Sequence, residues 1–174
     1  MLAVVVIVQL SISAVVPLAH SLYRPFYLPA EAMTPTLTKG DRILADMNVP
    51  RPPQRGDVIL FDVHDSIYIK RVAAIAGDRI AMHDGVPVIN GVPVSQRYIG
   101  RFTMAGTDGV VMLEKLSGEN GHHRVLDLGY GPFDDTAEVV VPPGHVFVLG
   151  DHRDLSADSR VPRENWGVEM LPVD

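Results

Sequence analysis

The chain has 174 residues, a formal net charge of −6, 47% apolar residues and no cysteine. This length supports one domain with a packed core. The negative charge and the lack of a Lys/Arg cluster argue against nucleic acid as a partner, because phosphate binding requires concentrated positive charge. The absence of cysteine excludes thiol catalysis, disulfides and thiolate metal sites.

The chain begins with an apolar stretch. Leu2 to Ala19 contains no charged side chain, and the first charge is at Arg24. An eighteen-residue helix extends about 27 Å, slightly less than the hydrocarbon core of a bilayer. A cleaved signal peptide would have a positive n-region, which Met1 to Ala3 lacks. The near-continuous apolarity also argues against an amphipathic surface helix. We therefore predict a transmembrane anchor over residues 1–23, in preference to a signal peptide or a buried core helix.

After this segment, short apolar runs are separated by turns rich in glycine and proline, a pattern typical of an all-β domain. The predicted strands are Asp41–Ala45, Val58–Phe61, Tyr68–Ile75, Val139–Val141 and His145–Leu149.

One hairpin is predicted within this pattern. Asn90-Gly91 stands between apolar residues, as in a two-residue type I′ turn. Pro87 and Pro93 are expected to confine that hairpin to a sheet edge. Residues 100–135 are polar and glycine-rich, with one strand candidate at Val110–Leu113. We expect one β domain over residues 24–174, with residues 100–138 as a variable insert.

Three separated segments carry a specific residue order. The first runs from Pro29 to Asp41 and reads Pro-Ala-Glu-Ala-Met-Thr-Pro-Thr-Leu-Thr-Lys-Gly-Asp. The second joins Arg55–Phe61 to Tyr68–Val72. The third is Leu149–Arg160, which reads Leu-Gly-Asp-His-Arg-Asp-Leu-Ser-Ala-Asp-Ser-Arg. Ser and Asp are ordinary turn formers, but turn formation does not account for the whole order of the third segment.

Together these segments resemble the type I signal peptidase (leader peptidase) family, membrane-anchored serine proteases that use a Ser-Lys pair. The resemblance extends to about Gly167 and is loosest between Gly100 and Asp135. It implies an antiparallel β domain preceded by one transmembrane helix. It also implies a single-pass protein of the plasma (inner) membrane, with the β domain on the outer (periplasmic or extracytoplasmic) face. Arg24 alone would weakly favour the opposite orientation.

The resemblance assigns Lys70 as the general base. A lysine base must be neutral at working pH, so its pKa must be lowered by burial or by nearby positive charge. In a strand, Tyr68, Lys70 and Val72 share one face, which places Lys70 among apolar neighbours. The alternative is a lysine that blunts a sheet edge or extends to solvent.

The third segment supplies the expected supporting residues. By resemblance, Ser156 would hold the lysine amine through a hydrogen bond, and Asp158 and Arg160 would brace the site as an ion pair. His152 stands where the family usually has asparagine. In the first segment, Met33 is expected to face the substrate or the membrane.

The family's nucleophilic serine comes immediately before the methionine, and that residue here is Ala32. Ala30 stands where many members supply a hydroxyl to the oxyanion hole. Removing a serine nucleophile lowers turnover on the order of a millionfold. Thr34 lies about 6–7 Å further along an extended chain, too far to replace it without rebuilding the loop. Thr36 and Ser156 are no better placed.

Three functions remain open, so whether the chain is an active enzyme is undecided. The first is a signal peptidase I-type serine endopeptidase homologue that removes signal peptides from exported precursors, but is inactive as written. Its Ala32 is either a natural divergence, which Ala30 favours, or a substitution made to trap a substrate. The second is a non-catalytic, membrane-tethered β domain that acts as a binding or scaffold module. The third is a protease with a displaced nucleophile.

The expected partners are the signal peptides of exported precursor proteins and the lipid membrane, with no nucleic acid. The resemblance implies hydrolysis through an acyl-enzyme, without a metal or cofactor. The seven histidines form no His-x-x-x-His pair, and this also argues against a metal site.

Overall fold

The structure, a computed structural model, describes residues 23–63, 65–104 and 107–173. Within these ranges the fold is all-β and antiparallel, as predicted, apart from a short 3₁₀ turn at Arg163–Asn165. The predicted anchor lies outside the described residues, except for Tyr23, which belongs to the first strand. No helix within the described ranges is long and apolar enough to cross a membrane.

Thirteen strands are present in the described ranges: β1 Tyr23–Tyr27, β2 Arg42–Asp46, β3 Val58–Val63, β4 Ser66–Ile75, β5 Arg79–His83, β6 Val86–Ile89, β7 Val92–Pro93, β8 Ser95–Met104, β9 Thr107–Lys115, β10 His123–Asp127, β11 Val139–Val140, β12 His145–Leu149 and β13 Leu171–Pro172. They form four sheets with the strand orders β1-β2, β10-β9-β8, β11-β5-β6-β7 and β13-β12-β4-β3.

Strand β4 lies inside its sheet and supports the candidate site. It pairs with β3 on one side, where Lys70 is opposite Ile59, and with β12 on the other, where Arg71 is opposite Leu149. Its residues from Lys70 to Ala74 are buried. Val72 packs in one apolar cluster and Ala73 and Ala74 in another, because both faces of the sheet are covered. The apolar run in the sequence is therefore that of a strand buried on both sides.

The Asn90-Gly91 hairpin is present as predicted. Ile89 pairs with Val92, and Asn90 and Gly91 have φ values of 53° and 79°, as a type I′ turn requires. The hairpin lies at the edge of its sheet, as Pro87 and Pro93 were expected to require. Strand β7 is the edge strand, and β6 lies between β5 and β7.

The region from Gly100 to Asp135 contains more strand structure than its sequence indicates. Strands β8 and β9 form a long hairpin, and β10 pairs with the far side of β9. Most of β8 is exposed, and its register shifts between Tyr98 and Gly100. Neither face of β8 is fully buried, and a bulge interrupts the strand. Such a strand lacks the apolar alternation that identifies strands in a sequence.

Candidate active site

Ala32 lies in a loop that is closed at both ends by main-chain hydrogen bonds between Leu28 and the Gly40-Asp41 turn. Inside the loop, the carbonyl oxygen of Met33 accepts hydrogen bonds from the backbone N–H groups of Thr36 and Leu37, both at 2.9 Å. This tight turn directs Met33 inward.

Met33 was expected to face the substrate or the membrane. Its side chain is 1% exposed and therefore belongs to the core rather than to the surface of the protein.

The first and third segments meet at Gly150. The carbonyl oxygen of Ala32 accepts a hydrogen bond from the backbone N–H of His152 at 3.1 Å. A Cβ atom added to Gly150 would lie 2.5 Å from that carbonyl oxygen and 2.1 Å from the Ser156 hydroxyl oxygen. Only glycine allows this approach, because real Cβ contacts are essentially never shorter than 3.0 Å. The side chain of Ala32 itself is a methyl group, which cannot attack a carbonyl.

Lys70 is buried, with 3% of its surface exposed, and its Nζ atom lies 5.4 Å from the centroid of the Tyr68 ring. Burial lowers the pKa of Lys70 below its ordinary value of 10.5. The carboxylate of Asp158 opposes this shift, and the guanidinium of Arg160 adds to it. The lysine is therefore easier to deprotonate than a lysine in water, as a general base requires.

Asp158 and Arg160 form a buried ion pair. The Nε and Nη2 atoms of Arg160 donate to the two carboxylate oxygens of Asp158, each at 2.9 Å. The same carboxylate accepts the backbone N–H of Gly150 at 3.0 Å. Burial by itself would raise the pKa of Asp158, but Arg160 outweighs it and the pKa is lowered. The ionised pair thus holds the Gly150 backbone in place.

Ser156 is buried beside this pair. It is close enough to Asp158 to lower the pKa of that carboxyl group. Its hydroxyl oxygen nevertheless makes no hydrogen bond with any group in the described part of the chain. The hydrogen bond from Ser156 to Lys70 that the resemblance implies is thus not formed between these described residues.

Of the threonines weighed as substitute nucleophiles, neither Thr34 nor Thr36 presents a hydroxyl that is both accessible and unpartnered. Thr34 is 1% exposed, and its hydroxyl oxygen is buried without a partner in the described ranges. Thr36 donates its hydroxyl to the backbone carbonyl of Arg124 at 3.2 Å. Ala30 is exposed and has no polar side-chain atom. The structure therefore offers no substitute hydroxyl beside Ala32 among these residues.

A second buried ion pair flanks the site, and sequence reasoning missed it. Arg71 donates to both carboxylate oxygens of Asp151, at 2.8 and 2.7 Å, and to the backbone carbonyl of Gly56 at 2.8 Å. A charged residue directly after Lys70, inside an apolar run, was the available signal. Arg71 thereby ties β4 to the third segment and to the turn before β3.

A third buried cluster surrounds Glu114 in β9. Its carboxylate accepts hydrogen bonds from Arg153 at 2.5 Å and from Gln96 at 2.7 Å, and it faces the His123 ring at 3.1 Å. Burial alone would raise the pKa of Glu114, but Arg153 and His123 lower it from 4.5 to about 2. We call Glu114, Arg153, His123 and Gln96 the Glu114 cluster. It joins the β8–β10 sheet to the third segment.

One group of metal-type side chains occurs among the described residues. His83, Asp84 and Asp135 each place a ligand atom within 4.8 Å of the others, and all three side chains are exposed. Asp135 joins the β5–β6 turn from a distant loop, so sequence spacing could not show this group. Exposed acidic side chains commonly cluster without an ion.

Comparison with known proteins shows the family. The family model described as signal peptidase, peptidase S26 matches residues 1–173. Signal peptidase I of Pseudomonas aeruginosa is 32% identical, over 92% of this chain and 61% of its own length. The probable signal peptidase I-1 of Synechocystis is 30% identical, over 82% of this chain and 62% of its own length. Signal peptidase I of Bacillus amyloliquefaciens is 29% identical, over 80% of this chain and 66% of its own length.

The chain thus spans between 61% and 66% of the length of these three relatives. The match nevertheless covers almost every residue of this chain and includes all three segments. The chain belongs to the signal peptidase family, peptidase S26.

Proposed function

We propose that this chain binds the signal peptides of exported precursor proteins beside Ala32 and Lys70, and that it cannot cleave them as written. One observation carries the proposal. Lys70 is buried in the field of the Asp158–Arg160 pair, Asp158 holds the Gly150 N–H, and the Ala32 carbonyl lies against Gly150, while residue 32 has no hydroxyl. These features support a site that keeps the buried lysine and the buried ion pair of a Ser-Lys protease but lacks the attacking hydroxyl at residue 32 and the hydroxyl at residue 30.

The chemistry that a serine at position 32 would perform follows from this arrangement. Its hydroxyl oxygen would attack the scissile carbonyl carbon while neutral Lys70 takes the hydroxyl proton. The resulting lysine ammonium would then protonate the leaving amine, which leaves an acyl-enzyme. Water, deprotonated by the same lysine, would hydrolyse the ester and restore the serine. With alanine at position 32 the first bond cannot form.

We also propose a location for the protein. The apolar stretch Leu2 to Ala19 has the composition of a membrane anchor and leads into β1. We place the protein in the plasma (inner) membrane as a single-pass protein with its β domain on the outer face, where exported precursors emerge. These assignments rest on the sequence of the anchor and on the family, whose relatives include signal peptidases I.

The test restores the missing hydroxyl. The full chain in detergent, its Ala32→Ser variant and the double variant Ala32→Ser, Lys70→Met are incubated with a fluorogenic signal-peptide substrate that has small residues at positions −3 and −1. We expect Ala32→Ser to cleave at least about a thousandfold faster than the parent, and the double variant to be inactive. Lys115→Ala in the Ala32→Ser background is the matched control, because Lys115 is exposed at the end of β9. It should retain cleavage.

Two outcomes would contradict the proposal. Lysine-dependent cleavage by the parent would show that a displaced nucleophile operates. An inactive Ala32→Ser variant that also fails to bind the peptide would show that this is not a signal-peptide site.

A binding or scaffold function is the second candidate, and the joint absence of hydroxyls at Ala30 and Ala32 favours it. It predicts that Ala32→Ser binds the peptide and still does not cleave it.

A further inference from the structure

We infer that His152 is a positioning residue of the candidate site. Its backbone N–H holds the Ala32 carbonyl, and its neutral ring holds the turn before Ser156. Proton uptake by the ring therefore loosens the site. The structural part of this inference stands on hydrogen bonds alone. Its consequence for peptide binding rests on the proposed function.

The main chain around His152 is fixed from two sides. On one side, its N–H donates to the Ala32 carbonyl at 3.1 Å. On the other side, the N–H of Leu126 in β10 donates to the Asp151 carbonyl at 2.8 Å. The carbonyl of Leu126 accepts a hydrogen bond from the N–H of Arg153 at 2.9 Å. The loop that contains Ala32 is therefore linked through His152 to the β8–β10 sheet. The His152 side chain is 1% exposed in this position.

The ring makes a contact that only one of its protonation states allows. Its Nδ1 atom accepts the backbone N–H of Leu155 at 3.2 Å. An accepting nitrogen must carry a lone pair, so the ring is neutral with its proton on Nε2. A second proton would occupy Nδ1 and turn the acceptor into a donor facing another donor. Leu155 directly precedes Ser156, and loss of this bond would release the turn that places Ser156 against Gly150.

The identity of residue 152 is what makes this contact sensitive to pH. By resemblance, the family has asparagine at this position, and an asparagine oxygen can accept the same N–H without ever titrating. Histidine retains the acceptor but adds a proton-binding step in the range in which imidazoles titrate.

The charges around the ring act in opposite directions. Burial lowers the pKa of His152 below its ordinary value of 6.5, while the carboxylates of Asp154 and Glu31 oppose this shift. Glu31 belongs to the Ala32 loop and Asp154 to the third segment. Leu126, which faces His152 from β10, is apolar. The other charged neighbours in the chain are paired elsewhere: Asp151 with Arg71 and Arg153 with Glu114.

The signs of these effects define the pH window. Because the pKa of the buried ring is lowered, the ring is neutral and the Leu155 bond intact at pH 7 and above. The bond persists below the ordinary value and is lost only as the pH falls through the lowered pKa of the buried ring. The site should thus hold its geometry at neutral pH and lose it in acid, once the ring takes up a proton.

The first experiment measures the contact itself in the unaltered chain. The backbone amide resonance of Leu155 is followed by NMR from pH 7.5 down to the lowest pH at which the chain stays folded, together with the ring resonances of His152. We expect the amide to shift with the same midpoint as the His152 ring. An amide that stays unchanged while the ring titrates would overturn the inference. His152→Asn should abolish the amide titration, and His122→Asn, which alters an exposed loop histidine, should leave it intact.

The second experiment measures the consequence. The affinity for an uncleaved signal peptide without titratable side chains is determined at pH 7.5 and at a pH below the His152 midpoint found by NMR. We expect the parent to lose about five- to tenfold in affinity at the lower pH, and His152→Asn less than twofold, with both proteins folded at each pH. An equal loss in the two proteins would overturn the role of His152. Failure to bind at any pH would contradict the proposed function, while the amide titration would still test His152 by itself.

Discussion

At the scale of single residues, Gly150 sets how closely the Ala32 loop and the third segment approach each other. The hydroxyl of Ser156 and the carbonyl of Ala32 occupy the space that a side chain at position 150 would need. The Gly150 N–H is held by Asp158, so the backbone cannot move aside without losing that hydrogen bond. Three parts of the site therefore depend on one missing Cβ atom.

Substituting this glycine should disable the site more than it harms the fold. Gly150→Ala is expected to destabilise the protein by about 1–3 kcal/mol through overpacking. In the Ala32→Ser background it should also abolish cleavage of the fluorogenic peptide. Gly100→Ala is the matched control, because a Cβ at Gly100 meets no atom within 4 Å. Thermal unfolding and the cleavage assay check both variants, and full cleavage by Gly150→Ala would refute the steric argument.

The sequence predicted some of these residues and not others. The apolar strand face of Lys70, a local property, allowed its burial, but the resemblance was needed to favour burial over an exposed lysine. The inward turn of Met33 depends on hydrogen bonds inside the loop, and the contact of Gly150 with Ala32 joins residues far apart in the chain. Neither leaves a periodic pattern, so neither could be predicted from residue spacing.

At the scale of elements, the strands differ in how well they are protected from water. Strand β4 is paired on both sides and buried from Lys70 to Ala74. Strand β8 is paired only with β9 and is largely exposed. The first kind of strand produces an apolar run that a sequence shows plainly, and the second does not. This explains why β4 and β12 were predicted while β8 was missed.

The same difference predicts hydrogen exchange rates. The amides of β4 and β12 should exchange near the rate of global unfolding. The outward-facing amides of β8 should exchange at least about a hundredfold faster, because they open locally. Strand β9 provides the control within the same sheet, since it has a partner on both sides. Equal protection of β8 and β4, measured by NMR or mass spectrometry, would show that something else covers the β8 edge.

At the scale of the whole molecule, the Glu114 cluster joins the β8–β10 sheet to the segment that surrounds the site. Glu114 is fully buried, so its charge depends on Arg153 and His123 for compensation. Removing one partner of a buried ion pair is costly because the other charge stays buried. The cluster therefore couples the stability of the fold to the placement of the third segment.

This coupling gives a pH dependence with a defined sign. The pKa of Glu114 is lowered in the folded protein from 4.5 to about 2, so its contribution is complete above pH 4.5 and is lost as the pH falls towards 2. The shift corresponds to about 3 kcal/mol. Glu114→Gln should lower the free energy of unfolding at pH 7 by about 2–4 kcal/mol and flatten its dependence on pH between 4.5 and 2.

The control for this variant is Glu138→Gln. Glu138 pairs with Arg79 on the surface, where both side chains are well exposed. Its loss should change the free energy of unfolding by less than about 1 kcal/mol. Urea unfolding at several pH values compares the two variants, and an equal effect would show that burial of the Glu114 cluster is not what stabilises the fold.

The way in which residue 32 is held also bears on the history of this protein. Its carbonyl is fixed by a main-chain donor, and the turn that follows it is closed by main-chain hydrogen bonds, and neither kind of bond uses the residue-32 side chain. A change of one base converts an alanine codon into a serine codon. A lineage that carries alanine here therefore stays one mutation away from regaining the hydroxyl, for as long as selection preserves the surrounding residues.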